Sequence, residues 1–410
     1  LVPKGPVERH PSPSRRSLQG LDWFVFFLGD IQTGFGPFIS IYLVTQKWTQ
    51  TDIGLVLTLG ALAGLICQIP GGALIDGVRS ERSAAAVAVV FIGISASVIA
   101  AWPIFMAVAV ARVLHAAASA VLGPAIAAIT LGLVGRRAIA ERFGRNARFA
   151  SAGNGAAAVL MGACGHFISP QSVFIVTAVF ALPTLAALYR IRADEISVAN
   201  AHGAVPESSP SKGMRGIGQL LRKRALWIFV CCIALFQLAN TPMLPLVGSA
   251  LTVRSGDWAV SLVAACVVVP QILVALCSPW VGRLAHGWGR RPLLLIGFAA
   301  LPIRGILFAY SSDPIMLVAV QLLDGVSAAV VGVLVPLVLS DISFGTGRFN
   351  LAQGATGTAI GLAAAFSTTA AGYVTDSFGS RAAFLGLAGT AAFGFLLLAL
   401  LMPETRPSDE

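Results

Sequence analysis

Apolar runs long enough to cross about 30 Å of hydrocarbon recur along the chain, separated by short polar turns. They predict transmembrane helices over residues 21–45, 53–75, 83–101, 103–134, 146–168 and 171–190. After a polar stretch they predict six more, over 225–250, 258–281, 291–311, 314–340, 349–375 and 381–402. The runs lack the alternation of a barrel strand that faces lipid on one side and a lumen on the other. The expected class is an all-α membrane protein of twelve transmembrane helices in two six-helix bundles. The stretch from Ala193 to Gly216 is rich in Ser, Gly, Pro and Ala and reads as a flexible linker. The predicted organisation is an amino-terminal tail (1–20), a first bundle (21–190), a linker (191–224), a second bundle (225–402) and a carboxy-terminal tail (403–410). The first span carries no small-residue cleavage site and is followed by many others, so it is expected to be retained rather than cleaved.

Composition strengthens this picture. Hydrophobic residues make up 56% of the 410 positions, charged residues 11%, and mean hydropathy is +0.83, whereas soluble domains carry roughly 25% charge. The six cysteines all lie inside apolar stretches without metal-ligand spacing, so they read as small hydrophobes, and no metal or cofactor is expected. The 28 Lys and Arg residues add orientation. All but five fall in the two tails and in alternate loops on one side; only Lys47, Arg254 and Arg381 fall on the other, and Arg112 and Arg304 lie within spans. Loops that stay in the cytoplasm retain positive charge, which predicts both termini on the cytoplasmic side. The net charge of +10 then reflects topology and anionic lipid, with no call for a nucleic-acid partner.

Displacing the second half by about 208 to 210 residues superposes features of the first. Pro37 falls on Pro245, Gln32 on Asn240, Arg112 on Gln321, His115 on Asp324, Gly123 on Gly332, Gly72 on Gly282 and Asp76 on His286. The loop after the second span reads GALIDGVRSER from Gly72, with Asp76, Arg79 and Arg82, and its counterpart reads GRLAHGWGRR from Gly282, with Arg290 and Arg291. Each is a partial copy of a G-x-x-x-D-R-x-G-R-R signature. On these motifs the chain resembles the major facilitator superfamily from about Leu18 to Met402, and is nearest to its drug:proton antiporter branch. A fourth-span R-x-x-Q-G signature is matched in part by Arg112, His115 and Ala116, while the fifth span, around Gly153, Asn154, Gly155 and Gly162, lacks the proline that branch usually carries. The resemblance implies two bundles with a substrate site at their interface near mid-membrane. The loop motifs read as a latch. Gly72 and Gly282 allow close helix approach, Asp76 can cap a neighbouring helix amino terminus, and Arg79, Arg82, Arg290 and Arg291 can pair across the halves. The other reading of these arginines is a topogenic positive cluster.

Charged groups inside hydrocarbon cost at least a few kcal/mol and mark pairs or cavities. Asp30 lies about 13 Å into the first span and Arg112 about 13 Å into the fourth from the opposite edge, with His115 one turn deeper. In the resembling fold both helices line the cavity, so the three can cluster. Asp324 in the tenth span and Arg304 in the ninth are at compatible depth. Asp30, His115 and Asp324 are therefore the proton-carrying candidates, the alternative being static ion pairs. Gln32, Arg112, Asn154, Gln237, Asn240, Gln271, Arg304 and Gln321 are the substrate-cavity candidates. Pro242 and Pro245 are expected to break the seventh helix beside Gln237 and Asn240.

The leading expectation is a secondary active transporter that exports a small organic solute by alternating access, coupled to protons. It would sit as a multi-pass monomer in the bacterial inner membrane, with solute, protons and lipid as its partners. Uptake of an organic acid or other small metabolite is the alternative. A non-transporting receptor or assembly factor is the alternative from another class. No HExxH, GxSxG, Walker or dinucleotide motif supports an enzyme.

Overall fold

The computed structural model describes residues 13–33, 37–78, 80–202, 214–255 and 259–406. Some side chains within these ranges, including those of Asp30, Gln32 and Arg137, lie outside the described set, as does the whole of Arg79. The regular structure among the described residues is helical. It comprises α1 (Arg15–Thr33), α2 (Pro37–Thr45), α3 (Gln50–Gly77), α4 (Glu81–Ala101), α5 (Phe105–Phe167), α6 (Ser172–Arg190) and α7 (Val198–Ala201). After these come α8 (Met214–Leu221), α9 (Arg224–Asn240), α10 (Met243–Ser255), α11 (Ala259–Gly287), α12 (Arg290–Tyr310), α13 (Pro314–Ser343) and α14 (Phe349–Leu401).

Helix starts are encoded locally. Thr49 accepts the backbone N–H of Asp52 at 3.1 Å ahead of α3, and Ser80 accepts that of Ser83 at 3.2 Å ahead of α4. Asp313 accepts that of Ile315 at 2.7 Å, with Pro314 as the first residue of α13. Each side chain satisfies a donor that the first helical turn leaves without an intrahelical partner.

Two of the helices are double. Gly135 (φ 63°) interrupts α5 and Gly379 (φ 82°) interrupts α14, in a left-handed conformation that glycine adopts without strain. The Asn146 amide donates to the Thr130 hydroxyl at 2.8 Å. Sixteen residues of continuous helix would hold these groups about 24 Å apart, so the two arms of α5 fold back on each other. In α14, Ser367 bonds the carbonyl of Leu238 while Gly394 packs on Leu235. Both arms thus meet the same stretch of α9. Among the described residues nine helical stretches are long and apolar enough to cross a membrane, with α5 and α14 among their sources.

Among the described residues, buried apolar side chains form two clusters. One runs from Leu21 to Ala201; the other runs from Leu220 to Met402 and takes in Ala127, Leu131, Ile139, Ala140 and Phe143 of α5. The expected break in the seventh span is present, since α9 ends at Asn240 and α10 starts at Met243 across Thr241 and Pro242. The linker differs from expectation at its start. Residues 193–195 form a 3-10 turn and α7 follows, anchored by the Ser197 N–H on the carbonyl of Gly132 at 3.0 Å. Glu195 accepts the backbone N–H and the hydroxyl of Ser14, both at 3.0 Å. The Glu195 carboxylate and the Ser197 cap supply bonds that low hydrophobicity concealed.

Candidate functional site

Two seams join the halves at the end of the bundle that carries the basic loops, and each is built on a pair of glycines. Where α3 meets α14, a β-carbon on Gly72 would collide with the carbonyl of Asn350, and one on Gly354 with that of Gln68. Where α11 meets the second arm of α5, Gly282 faces the carbonyl of Ala140 and Gly144 that of Ser278 in the same way. These four positions are related by the sequence repeat, 72 to 282 and 144 to 354, and they allow backbone to approach backbone without intervening side chains.

The polar chemistry of the two seams differs. Asp76, which is buried, accepts the backbone N–H groups of Asn350 (3.1 Å) and Leu351 (2.8 Å) and the Asn350 amide (2.9 Å). It thereby places a carboxylate on the amino terminus of α14, where the helix dipole favours negative charge. At the second seam the equivalent residue, His286, is exposed. The acid there is Glu141, on the partner helix, 3.5 Å from Arg283. Arg136 adds a third bridge, to Asp341 at 3.3 Å, with its guanidinium 3.6 Å above the ring of Phe344. Behind α14, the buried Glu81 meets His202 at 3.1 Å, and the carbonyl of His202 accepts the N–H of Phe349 at 3.4 Å.

The described loop arginines of the motif, Arg82, Arg290 and Arg291, do not cross between the halves as expected. Arg82 donates to the carbonyl of Ile191 (2.6 Å) at the end of α6, and Arg291, its repeat equivalent, to that of Ala399 near the end of α14. Arg290 bonds Asp341 (3.0 Å) and the carbonyl of Ala285 (2.7 Å). Carbonyls exposed at a helix carboxy terminus attract cations, so each arginine is captured inside its own half. Arg79 lies outside the described residues.

Between the halves, above these seams, lies a cavity of about 380 Å³. Gln68 of α3, Asn146 of α5, and Gln353 and Thr356 of α14 supply its polar groups. Val25, Phe143, Pro124, Pro336 and Ile360 supply apolar wall. Asn146 is fixed in orientation: its oxygen accepts Arg142 Nε at 3.0 Å and its amide donates to Thr130. Arg142 and Arg145 converge on the buried Asp22, at 2.7 and 2.5 Å. These residues were not singled out from sequence. For Asp22 the available signal was an acid at the start of the first span facing the arginine-rich fourth loop. Gln68 and Gln353 had none beyond being amides in apolar runs.

Of the residues singled out, Arg304, Asp324 and Asn240 come together. The Arg304 guanidinium, 1% exposed, bonds the Asp324 carboxylate and, at 2.9 Å, the Asn240 side-chain oxygen. Gln321 is fully buried one turn away on α13. Arg112 is half-buried, its guanidinium about 3.0 Å from where a β-carbon on Gly60 would stand, and His115 lies 3.4 Å from the Ser119 hydroxyl. The Asn154 side-chain oxygen packs at Gly29 of α1, next to Asp30. Gln237 and Gln271 are half-buried in α9 and α11. The side chains of Asp30 and Gln32 lie outside the described residues. No cluster of three or more His, Cys, Asp or Glu suited to a metal occurs among the described residues.

Apolar helices in two halves around a shared cavity are the architecture expected of a membrane transport protein. The comparisons with known proteins agree. A family model described as Major Facilitator Superfamily matches residues 23–253 and 239–410, and the chain belongs to that superfamily of transporters. It is 39% identical over 400 residues to uncharacterised MFS-type transporters of Mycobacterium tuberculosis strains H37Rv and CDC 1551, covering 96% of this chain and 95% of theirs. Its fold is similar to the human organic anion transporter MFSD10 (TM-score 0.73, 18% identity, 94% of this chain and 99% of that one). It is similar also to FucP in the outward conformation (TM-score 0.72, 15% identity, 94% and 97%).

Proposed function

We propose that the protein exports a small organic solute across the bacterial inner membrane by alternating access, in exchange for protons. The observation that carries this reading is the cavity shared by both halves, bounded at its basic end by seams of small residues and polar bonds that can part. Solute would contact Gln68, Asn146, Gln353 and Thr356 in the state described, and Arg112, Asn154, Gln237, Asn240, Gln271 and Gln321 as the halves rock. In this reading α5 and α14 each cross the membrane twice, while α1 with α2, and α9 with α10, each cross once. That makes twelve crossings, with both termini cytoplasmic and the monomer as the working unit. Asp76, Gly72 and Gly282 then form the cytoplasmic latch. Asp324, an ionisable group inside an apolar span and bonded to Arg304, is the strongest proton carrier, with Asp30 and His115 on the other half.

The test is flux in everted vesicles under an imposed pH gradient, with a panel of amphipathic amines, carboxylates and neutral drugs. Export predicts accumulation driven by an acidic interior and abolished by Asp324→Asn or Asp30→Asn, with exchange in the absence of a gradient retained. Undiminished proton-driven flux in both variants would sink the coupling assignment, and solute moving in the same direction as protons would replace export with uptake.

A further inference from the structure

On the outer flank of the second seam, α1, the second arm of α5 and α11 enclose a crevice of about 550 Å³ that is separate from the central cavity. Its lining is graded. Glu141 and Arg283, at the basic end, carry exposed charge; deeper in come Phe149, Ala152, Ala275 and Leu276. From Glu141 to Ala152 is eleven helical residues, or about 16 Å along the axis, a span that covers a headgroup layer and the first part of an acyl chain. Trp23 stands at the mouth, 45% exposed, with its ring stacked on Phe27 at 5.7 Å and edge-on to Phe26 and Phe149. An indole so placed marks the depth of a membrane interface.

The charge of the crevice does not balance. Asp22 is shared by Arg142 and Arg145, and Glu141 meets Arg283. Arg148 remains exposed on the wall, its Nε donating to the carbonyl of Ala275 at 3.1 Å. With the buried Asp22 outside the lining, Arg145, Arg148 and Arg283 face one carboxylate, Glu141, an excess of two positive charges over an apolar trough. An occupant needs an anionic head and a hydrocarbon tail.

We infer that this crevice is a binding site for one anionic phospholipid, its phosphate held between Arg148 and Arg283 and an acyl chain laid along Phe149, Ala152 and Leu276. Basic pockets between helices at the membrane surface recognise such headgroups. Because Arg148 belongs to the first half and Arg283 to the second, the bound lipid bridges the seam and stabilises the arrangement in which Arg148 reaches Ala275. The inference needs only the membrane placement of the bundle and is independent of solute and coupling ion.

The purified protein in zwitterionic detergent is titrated with phosphatidylglycerol, with phosphatidylcholine of the same chains, and with inorganic phosphate. Thermal midpoint and lipid retained in native mass spectrometry are followed. The expected result is that phosphatidylglycerol is retained and raises the midpoint, with little effect of the other two. Each lost guanidinium weakens binding by about fivefold, so Arg148→Gln/Arg283→Gln binds about 25-fold more weakly. Ala152→Phe, which fills the trough and leaves every charge in place, also loses the lipid and decides the matter if the double variant fails to fold. Equal effects of phosphatidylcholine and phosphatidylglycerol overturn the inference, as does a shift reproduced by inorganic phosphate alone. Unaltered retention in the folded variants overturns it too.

Discussion

Removing the Asp76 carboxylate should open the basic end of the molecule. The group satisfies three donors at the start of α14, two of them backbone N–H groups of the first turn. It provides the cap and also the charge at the dipole's positive end, in a buried setting where neither is screened by water. A helix cap contributes about 1 kcal/mol and a favourably placed, partly buried charge up to about 2 kcal/mol. Asp76→Ala therefore costs the closed arrangement about 2 kcal/mol, equivalent to a roughly thirtyfold shift in population. Asp76→Asn keeps one acceptor and should shift it less. Spin labels on the exposed Arg192 and Trp288, one on each half at the basic end, report the opening as a longer distance population in electron–electron resonance. Identical distance distributions in wild type and Asp76→Ala, with the fold intact, would refute the reasoning.

Gly72→Leu and Gly282→Leu push a side chain into the carbonyls of Asn350 and Ala140, so both should abolish solute flux while leaving helicity unchanged; full flux in either variant would contradict the seam geometry. Arg304→Gln strips the cation from Asp324 within the fold, and breaking such a pair costs about 3 kcal/mol, the low end of the usual range because Asp324 is a quarter exposed. The midpoint of unfolding should fall by several degrees and recover in Arg304→Gln/Asp324→Asn; a single variant as stable as wild type would count against the pair. Burial pushes the Glu404 carboxyl up, but the N–H groups of Arg290, Arg406, Arg291 and Thr405 outweigh it and hold the group below the usual glutamate range. A depressed value contributes stability above the unfolded pKa and loses it as pH falls through the folded one. Glu404→Gln should therefore lower stability at pH 7, and the difference from wild type should close in strong acid; a difference independent of pH would refute this.

Helices were readable from the chain because hydrophobic length alone specifies them in a membrane, and the repeat was readable because glycines at Gly72 and Gly282 punctuate equivalent turns. Asp76 was readable for the same reason, an acid at a span end beside a motif glycine. The direction of Arg82 and Arg291 was not, since a long flexible cation can reach either its own half or the other, and only the position of the α6 and α14 carboxy termini decides. Nor was the lining of the cavity. Gln68 faces it and Gln321 is buried within the second half, yet both are single amides in apolar helices with similar neighbours. What separates them is the rotation of each helix about its axis, set by packing against helices distant in sequence.

The ordered start of the linker has a mechanical consequence. His202 is tied to α4 through Glu81 and to α14 through Phe349, and the next described helix begins at Met214. Its two ties lie on opposite halves, since α4 belongs to the first and α14 to the second. The start of the linker is therefore a clasp between them. Separation of the halves has to undo this clasp, so His202→Ala, which cuts the tie to Glu81, would ease it.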